Sequence, residues 1–171
     1  FGEGKMTEPN EIIKQLEIYL LNFKKNKKFK ALVTAGPTYE YIDPVRFITN
    51  KSSGKQGFEL AKALSKKGFE TTLISGPTNL KINNDINLIQ VETAEEMFKS
   101  TQNNLPVDVA IFSAAVADFK IKEKNKEKIK KKNYINLNLE KNIDILNYVS
   151  NHNSLRPKLV IGFAAETSNI E

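Results

Sequence analysis

The stretch "KALVTAG" (residues 30–36) is apolar without alternation and stops at a glycine. A run of that kind is the pattern of a strand buried on both faces, as in a parallel sheet. After a loop of about eighteen residues comes "GKQGFELAKALSKKG" (residues 54–68), which reads as a helix. It has glycines at its start, Leu60, Ala61 and Leu64 on one side, and Gly68 as a stop. Strand, loop, helix is the opening of an α/β unit, and the rest of the chain continues it. "FETTLISG" (69–76) and "INLIQV" (86–91) read as strands. Thr93 caps the helix "AEEMFKSTQNN" (94–104), with Glu96 three residues on completing a capping box. "VDVAIFSAAV" (107–116) and "KLVIGFAAE" (158–166) read as a fourth and a final strand. "YINLNLE" (134–140) alternates like a half-exposed strand, and "NIDILNYVSNH" (142–152) is a short helix. Upstream, "EIIKQLEIYLLNF" (11–23) carries a helical apolar stripe. The expected fold is a Rossmann-like, mostly parallel sheet with helices on both faces. Such sheets bind ligands at the carboxyl ends of their strands.

Length and composition suit one globular domain, or one domain with a short appendage. The 171 residues are 40% hydrophobic and 27% charged, enough apolar content for a sizeable core. No apolar run is long enough for a membrane span, so no membrane partner is expected. There is no cysteine, hence no disulfide, thiolate nucleophile or Cys-based metal site, which fits the cytoplasm. The net charge of +6 is local: residues 122–132 hold seven Lys and two Glu, and residues 24–30 hold five Lys and no acid. The rest is mildly acidic. A nucleic-acid-binding surface usually spreads its basic residues over one face, so no nucleic-acid partner is expected.

Several residues at the predicted strand ends could carry chemistry. Ser52, Ser53 and Gly54 precede a helix start, where unpaired N–H groups and the helix dipole suit an anion or an ordinary cap. The loop before them exceeds what a compact α/β unit needs, and long loops of that kind are usually functional. In it, Arg46 can clamp a carboxylate or phosphate through two parallel hydrogen bonds, and Asn50 offers both a donor and an acceptor. "SAAVADF" (113–119) puts small residues at a strand end, where a planar base could approach the backbone. Asp118 there could be a ribose or metal-side carboxylate, or the cap of the next turn. The lysine block is a solvated loop or a source of one phosphate-binding ammonium, which spacing alone does not single out. His152, the one histidine, is assigned no role. Neither G-x-G-x-x-G nor the P-loop pattern is present, because Thr49 stands at the first P-loop glycine and Gln56 follows Lys55.

In order, "GPTYEYIDPVRFITNKSSGKQG", "AAVADF", "EKIKKK", "KNIDIL" and "GFAAET" closely resemble phosphopantothenoylcysteine synthetase, the CTP-using bacterial phosphopantothenate–cysteine ligase of coenzyme A synthesis. The resemblance covers residues 29–171, after a helix and basic linker over 11–28. It implies attack of the 4′-phosphopantothenate carboxylate on the α-phosphate of CTP, loss of pyrophosphate, and displacement of CMP by the cysteine amine, with Mg²⁺ accompanying the triphosphate. It also implies that Ser113, Ala114, Ala115 and Asp118 border the cytidine and that Lys128 meets its phosphates. Asp144, Ile145 and Phe163 would complete the nucleotide pocket. Asn50 and Arg46 would serve the acyl side, and Asn50, Lys128 and Arg46 would be the catalytic residues.

The start, "FGEGKMTEPNEI", resembles the tail of the FMN-dependent decarboxylase commonly fused ahead of the synthetase, so residues 1–10 are assigned to it. Lys5 stands where that pattern has Arg. A C-terminally incomplete synthetase domain, in an internal fragment of a bifunctional protein, is therefore expected. The resemblance further implies a homodimer through the synthetase domain and a larger homo-oligomer for the fused protein. A Rossmann-type oxidoreductase is the competing enzyme reading, opposed by the missing glycine fingerprint.

Overall fold

The computed structural model describes residues 8–20, 28–131 and 135–164. Strand β1 (Lys30–Ala35) is the middle of a five-stranded, all-parallel sheet. On one side it pairs with β4 (Glu70–Ser75), Ala31 opposite Thr71 and Ala35 opposite Ser75, and β5 (Asn87–Gln90) lies beyond. On the other side it pairs with β6 (Val109–Phe112), followed by β9 (Leu159–Gly162). The spatial order is β5-β4-β1-β6-β9, so the direction of winding reverses between β1 and β6. Right-handed crossovers on either side of that reversal put the helices on opposite faces.

Alternation along β1 shows the two faces. Ala31, Val33 and Ala35 pack in one core with Ile12, Ile13 and Leu16 of α1 (Pro9–Leu20) and Phe58, Leu60, Ala61 and Leu64 of α2 (Lys55–Lys66). Leu32 points the other way, joining Met97 of α3 (Ala94–Asn103) and Ile145 and Val149 of α4 (Ile145–Ser150). A strand covered on both faces has no polar side to alternate with, hence the continuous apolar run. The capping box at α3 is present, and the buried Glu40 adds a second acceptor there, taking the Ala94 N–H at 3.0 Å.

Four short strands lie outside the main sheet, in two antiparallel ribbons. The long loop after β1 contains a ribbon of β2 (Glu40–Tyr41) and β3 (Phe47–Ile48). A second antiparallel ribbon pairs β7 (Phe119–Ile121) with β8 (Leu139–Lys141), and the lysine block lies in their connection. Three expected strands are therefore corrected, that over 158–166 being regular only at Leu159–Gly162, with 165 and 166 outside the described residues. The strand expected over 134–140 is regular only at 139–141, where β7 supplies its hydrogen bonds; residue 134 lies outside the described residues. The strand expected over 107–116 ends at Phe112, because the chain then turns over the end of β1, keeping one bridge from Ala115 to Pro37. The expected helix over 11–23 is seen as α1 to Leu20, and 21–23 lie outside the described residues.

Candidate active site

A cleft of about 1040 Å³ opens at the carboxyl ends of β1, β6 and β9, beside the point where the winding reverses. Its three walls come from sequence-distant segments.

The first wall is the turn into α2. Gly54 sits at φ +73°, a left-handed conformation that favours glycine, and a Cβ there would come within 2.8 Å of Thr78 Cγ2. No side chain caps α2; the Ser52 and Ser53 hydroxyls instead accept the Gly54 and Lys55 N–H groups at 3.2 and 3.3 Å. Gly57 lets the helix press onto the sheet: an added Cβ would lie 2.5 Å from Ala35 Cβ and 2.7 Å from Ser113 Oγ. The cleft therefore meets a helix N-terminus, with Lys51 and Lys55 at its edge.

The second wall is the turn after β6. Ser113 Oγ donates to the Thr34 carbonyl at 2.7 Å, and the Ala117 N–H donates to the buried Thr38 hydroxyl at 3.0 Å. The Ser113, Ala114 and Ala115 amides also donate inward, to the Thr34 carbonyl, the Thr34 hydroxyl and the Gly36 carbonyl. Four amides of this turn are thus committed to holding its shape. Asp118 is exposed at its end, and its carboxylate has no hydrogen bond or ion pair among the described residues.

The third wall is the approach to α4. Asn142, largely buried, donates its side-chain amide to the Ala117 carbonyl at 3.1 Å and its backbone N–H to the Asp118 carbonyl at 2.7 Å. It locks this wall to the second. Asp144 is the N-cap of α4, its Oδ1 accepting the Asn147 N–H at 2.8 Å. Ile145 turns into the core. Phe163, just past β9, closes the side of the cleft, its N–H donating to the Phe112 carbonyl.

The structure brings Asn50, Ser113, Ala114, Ala115, Asp118, Asp144, Ile145 and Phe163 together around one cleft. Asn50 Nδ2 donates to the Val116 carbonyl at 3.0 Å, joining the β1–α2 loop to the second wall. Arg46 and Lys128 are not among the residues lining the cleft. The Arg46 guanidinium is engaged elsewhere: Nη2 donates to the Ile129 carbonyl at 2.9 Å, and Nη1 lies 3.2 Å from the buried Asp43 carboxylate. Burial pushes the Asp43 carboxyl up, but the N–H groups of Val45, Ile129 and Arg46 and the Arg46 charge outweigh it, holding it below the ordinary 3.8. Lys128 is exposed, one residue before that anchor.

The sequence reading gave no site role to Lys51, Lys55, Lys141 or Asn142, all of which line the cleft. Lys55 had a usable signal, standing at the helix start in "SSGKQG". Asn142 had none, because its role is to hold two backbone carbonyl segments together.

The family model for the DNA/pantothenate metabolism flavoprotein C-terminal domain matches residues 26–171. A Haemophilus influenzae protein named coenzyme A biosynthesis bifunctional protein CoaBC is 42% identical over 172 residues, 99% of this chain and 43% of its own length. The protein of that name from Borreliella burgdorferi is 41% identical over 170 residues, 96% of this chain and 43% of its own. The chain thus spans well under half the length of these curated relatives. Among solved structures, the C-terminal domain of a coenzyme A biosynthesis bifunctional protein CoaBC superposes with a TM-score of 0.70 at 41% identity, over 83% of this chain and 67% of that one. A DNA/pantothenate metabolism flavoprotein from Streptococcus pneumoniae gives a TM-score of 0.67 at 25% identity, over 77% of this chain and 67% of that one.

Proposed function

The chain belongs to the family of the DNA/pantothenate metabolism flavoprotein C-terminal domain, and from that membership we infer that it is the ligase part of a coenzyme A biosynthesis protein. The reaction is CTP-dependent joining of cysteine to 4′-phosphopantothenate. The observation that carries this reading is the cleft itself. Residues from Asn50 to Phe163, picked out by ordered motifs, meet at the carboxyl ends of the strands, where an α/β sheet places a ligand.

In the first half-reaction a carboxylate oxygen bonds to the α-phosphorus of CTP while the bond to pyrophosphate breaks. Both reactants are anions, so the step needs positive charge and exclusion of water at the phosphate. Lys51, Lys55 and the α2 N-terminus supply positive charge at the cleft, and Lys128 is assigned to the departing pyrophosphate. In the second, the cysteine amine bonds to the acyl carbon and CMP leaves. Asn50 is assigned to the acyl carbonyl in that step, and Arg46 to the acyl side through the loop it shares with Asn50. With four amides of the second wall committed, selection of cytosine is assigned to that wall's remaining backbone groups and to Asp118.

The residues present fit Mg²⁺ carried in with the triphosphate. Asp118 offers an unengaged carboxylate and Asp144 one oxygen beyond its cap, and the described residues hold no cluster of three potential ligands. Mg²⁺ is commonly held by one or two carboxylates plus phosphate oxygens, and would neutralise triphosphate charge there. FMN is assigned to the fused decarboxylase, of which residues 1–10 are read as the tail, with residues 29–171 as the ligase part. A homodimer through the ligase part draws support from apolar side chains exposed on the two ribbons, Val45 and Phe47 on one and Phe119 and Leu139 on the other. No described helix is long and apolar enough to cross a membrane.

The test is pyrophosphate release by the chain completed to its relatives' length, with 4′-phosphopantothenate and either CTP or ATP. Release with CTP, followed by amide formation only when cysteine is added, is expected. Release independent of 4′-phosphopantothenate would overturn the assignment.

A further inference from the structure

Asp43 received no role from the sequence, yet it is among the most completely buried charged groups, its side chain having no exposed surface. It lies in the tight turn joining β2 to β3, where its Oδ1 accepts the N–H groups of Val45 and Arg46 at 2.8 and 2.9 Å. Those two bonds would suffice for a turn carboxylate. The second oxygen does something else: Oδ2 accepts the N–H of Ile129 at 3.1 Å, across 86 residues of sequence. Arg46, bound to the same carboxylate, returns to the Ile129 carbonyl at 2.9 Å. Both backbone groups of one residue in the lysine block are therefore held by one ion pair. A third bond, from the Asn125 N–H to the Ile42 carbonyl at 3.0 Å, fastens the block four residues earlier.

The block 122–131 carries many like charges, which repel one another and favour an extended, solvated chain. Holding it in one place requires strong, directional bonds, and bonds to a buried charged acceptor are of that kind. The loop that supplies them also carries Asn50, which touches the cleft wall at Val116. One loop thus contacts the cleft through Asn50 and the lysine block through Asp43 and Arg46.

We propose that Asp43 is a positioning residue that fixes Ile129, and so limits the volume that the neighbouring Lys128 explores. The proposal rests on the phosphate role given to Lys128 above. Asp43 touches no substrate; it acts through the lysine.

Two variants test it in the chain completed to its relatives' length. Asp43→Asn keeps the shape but turns a donor toward the Ile129 N–H. Ile129→Pro removes that N–H and leaves the buried carboxylate intact, so it carries the test if Asp43→Asn fails to fold. Limited trypsin digestion after Lys126 and Lys130 should accelerate about tenfold in each, the scale of one lost charge-assisted hydrogen bond. Cleavage outside 122–131 should stay unchanged. Pyrophosphate release in a single turnover should fall in Asp43→Asn, and in Asp43→Asn/Lys128→Gln it should fall no further than in Lys128→Gln alone. A merely structural loss would instead multiply with the lysine effect. Unchanged cleavage in both variants, or fully multiplicative losses, overturns the proposal while leaving the phosphate reading intact. Accelerated cleavage with a Lys128→Gln enzyme of normal activity overturns the phosphate role, and with it the positioning role, but leaves the anchor itself standing.

Discussion

Gly57 shows how little space separates α2 from the strands beneath it. A methyl group there would overlap Ala35 and the Ser113 hydroxyl, the latter being part of the second wall of the cleft. Alanine normally favours a helix over glycine by ~0.5–1 kcal/mol, whereas overpacking costs ~1–3 kcal/mol, so the overlap wins. Gly57→Ala should lower stability by about 1–2 kcal/mol, seen as a reduced urea midpoint with an unchanged slope, and should also weaken nucleotide binding by displacing Ser113. A stable variant with unaltered binding would show that α2 can lift without cost. Tyr41 offers a test through titration. Its hydroxyl donates to Glu92 at 2.7 Å, and this bond, with burial and the Glu92 charge, pushes the phenol up to about 12. Because the folded value lies above the ordinary 10.0, the stabilisation is complete below that pH and is lost as pH rises through about 12. Glu92→Gln should bring the Tyr41 titration, followed by NMR, back toward 10.0; an unmoved value would show that burial and the neighbouring charges of Glu96 and Tyr39 set it instead.

The elements that were legible in the sequence and those that were not differ in how they are held. Strands β1 and β6 are buried on both faces and read as continuous apolar runs, and α2 carries its buried residues at a helical spacing, so both can be read. The ribbons β2–β3 and β7–β8 are two or three residues deep, too short for any period, and depend on hydrogen bonds to distant partners. "IDPVR" lies within the long loop, and nothing in it announces that its aspartate binds Ile129. Part of the cleft's lining was legible, because Asn50, Asp118 and Phe163 stand in motifs. The surroundings of Arg46 were not, because its partner is a backbone carbonyl 83 positions away, with no side-chain signature. The same connection predicts a local acid response. Asp43 has a folded value held below 3.8, so its contribution is present above that pH and is lost as pH falls through the lower folded value. Hydrogen-exchange protection of the Ile129 amide, corrected for the intrinsic rate, should stay level above pH 3.8 and collapse below it, before the β1 amides open. Simultaneous loss in β1 would mean that the anchor has no independent opening.

At the scale of the molecule, the sheet holds the cleft's three walls at fixed strand ends, yet the walls touch one another through few bonds. Asn142 joins the second and third, and Asn50 joins the first loop to the second. A ligand seated between them adds contacts across segments that are otherwise tied only through the core, and it binds the folded chain alone. Stabilisation then follows from mass action, at ~2.7 kcal/mol when free ligand is a hundredfold above its dissociation constant. For a domain of this size each kcal/mol moves the melting midpoint by roughly 2–4 °C, so a saturating nucleotide should raise it by about 5–10 °C. The rise should be larger for CTP than for ATP at equal concentration, because a purine leaves polar groups of the wall unmatched, at ~1–3 kcal/mol each. Asp118→Asn, at an exposed position with no partner for its carboxylate among the described residues, should leave the ligand-free midpoint unchanged and diminish the CTP-dependent rise in the presence of Mg²⁺. Thermal melts of the chain completed to its relatives' length, with each nucleotide and with and without Mg²⁺, read all three effects. Equal shifts for CTP and ATP would remove the base-selective role of the second wall. An Asp118→Asn variant that keeps the full CTP shift would remove the carboxylate from the site.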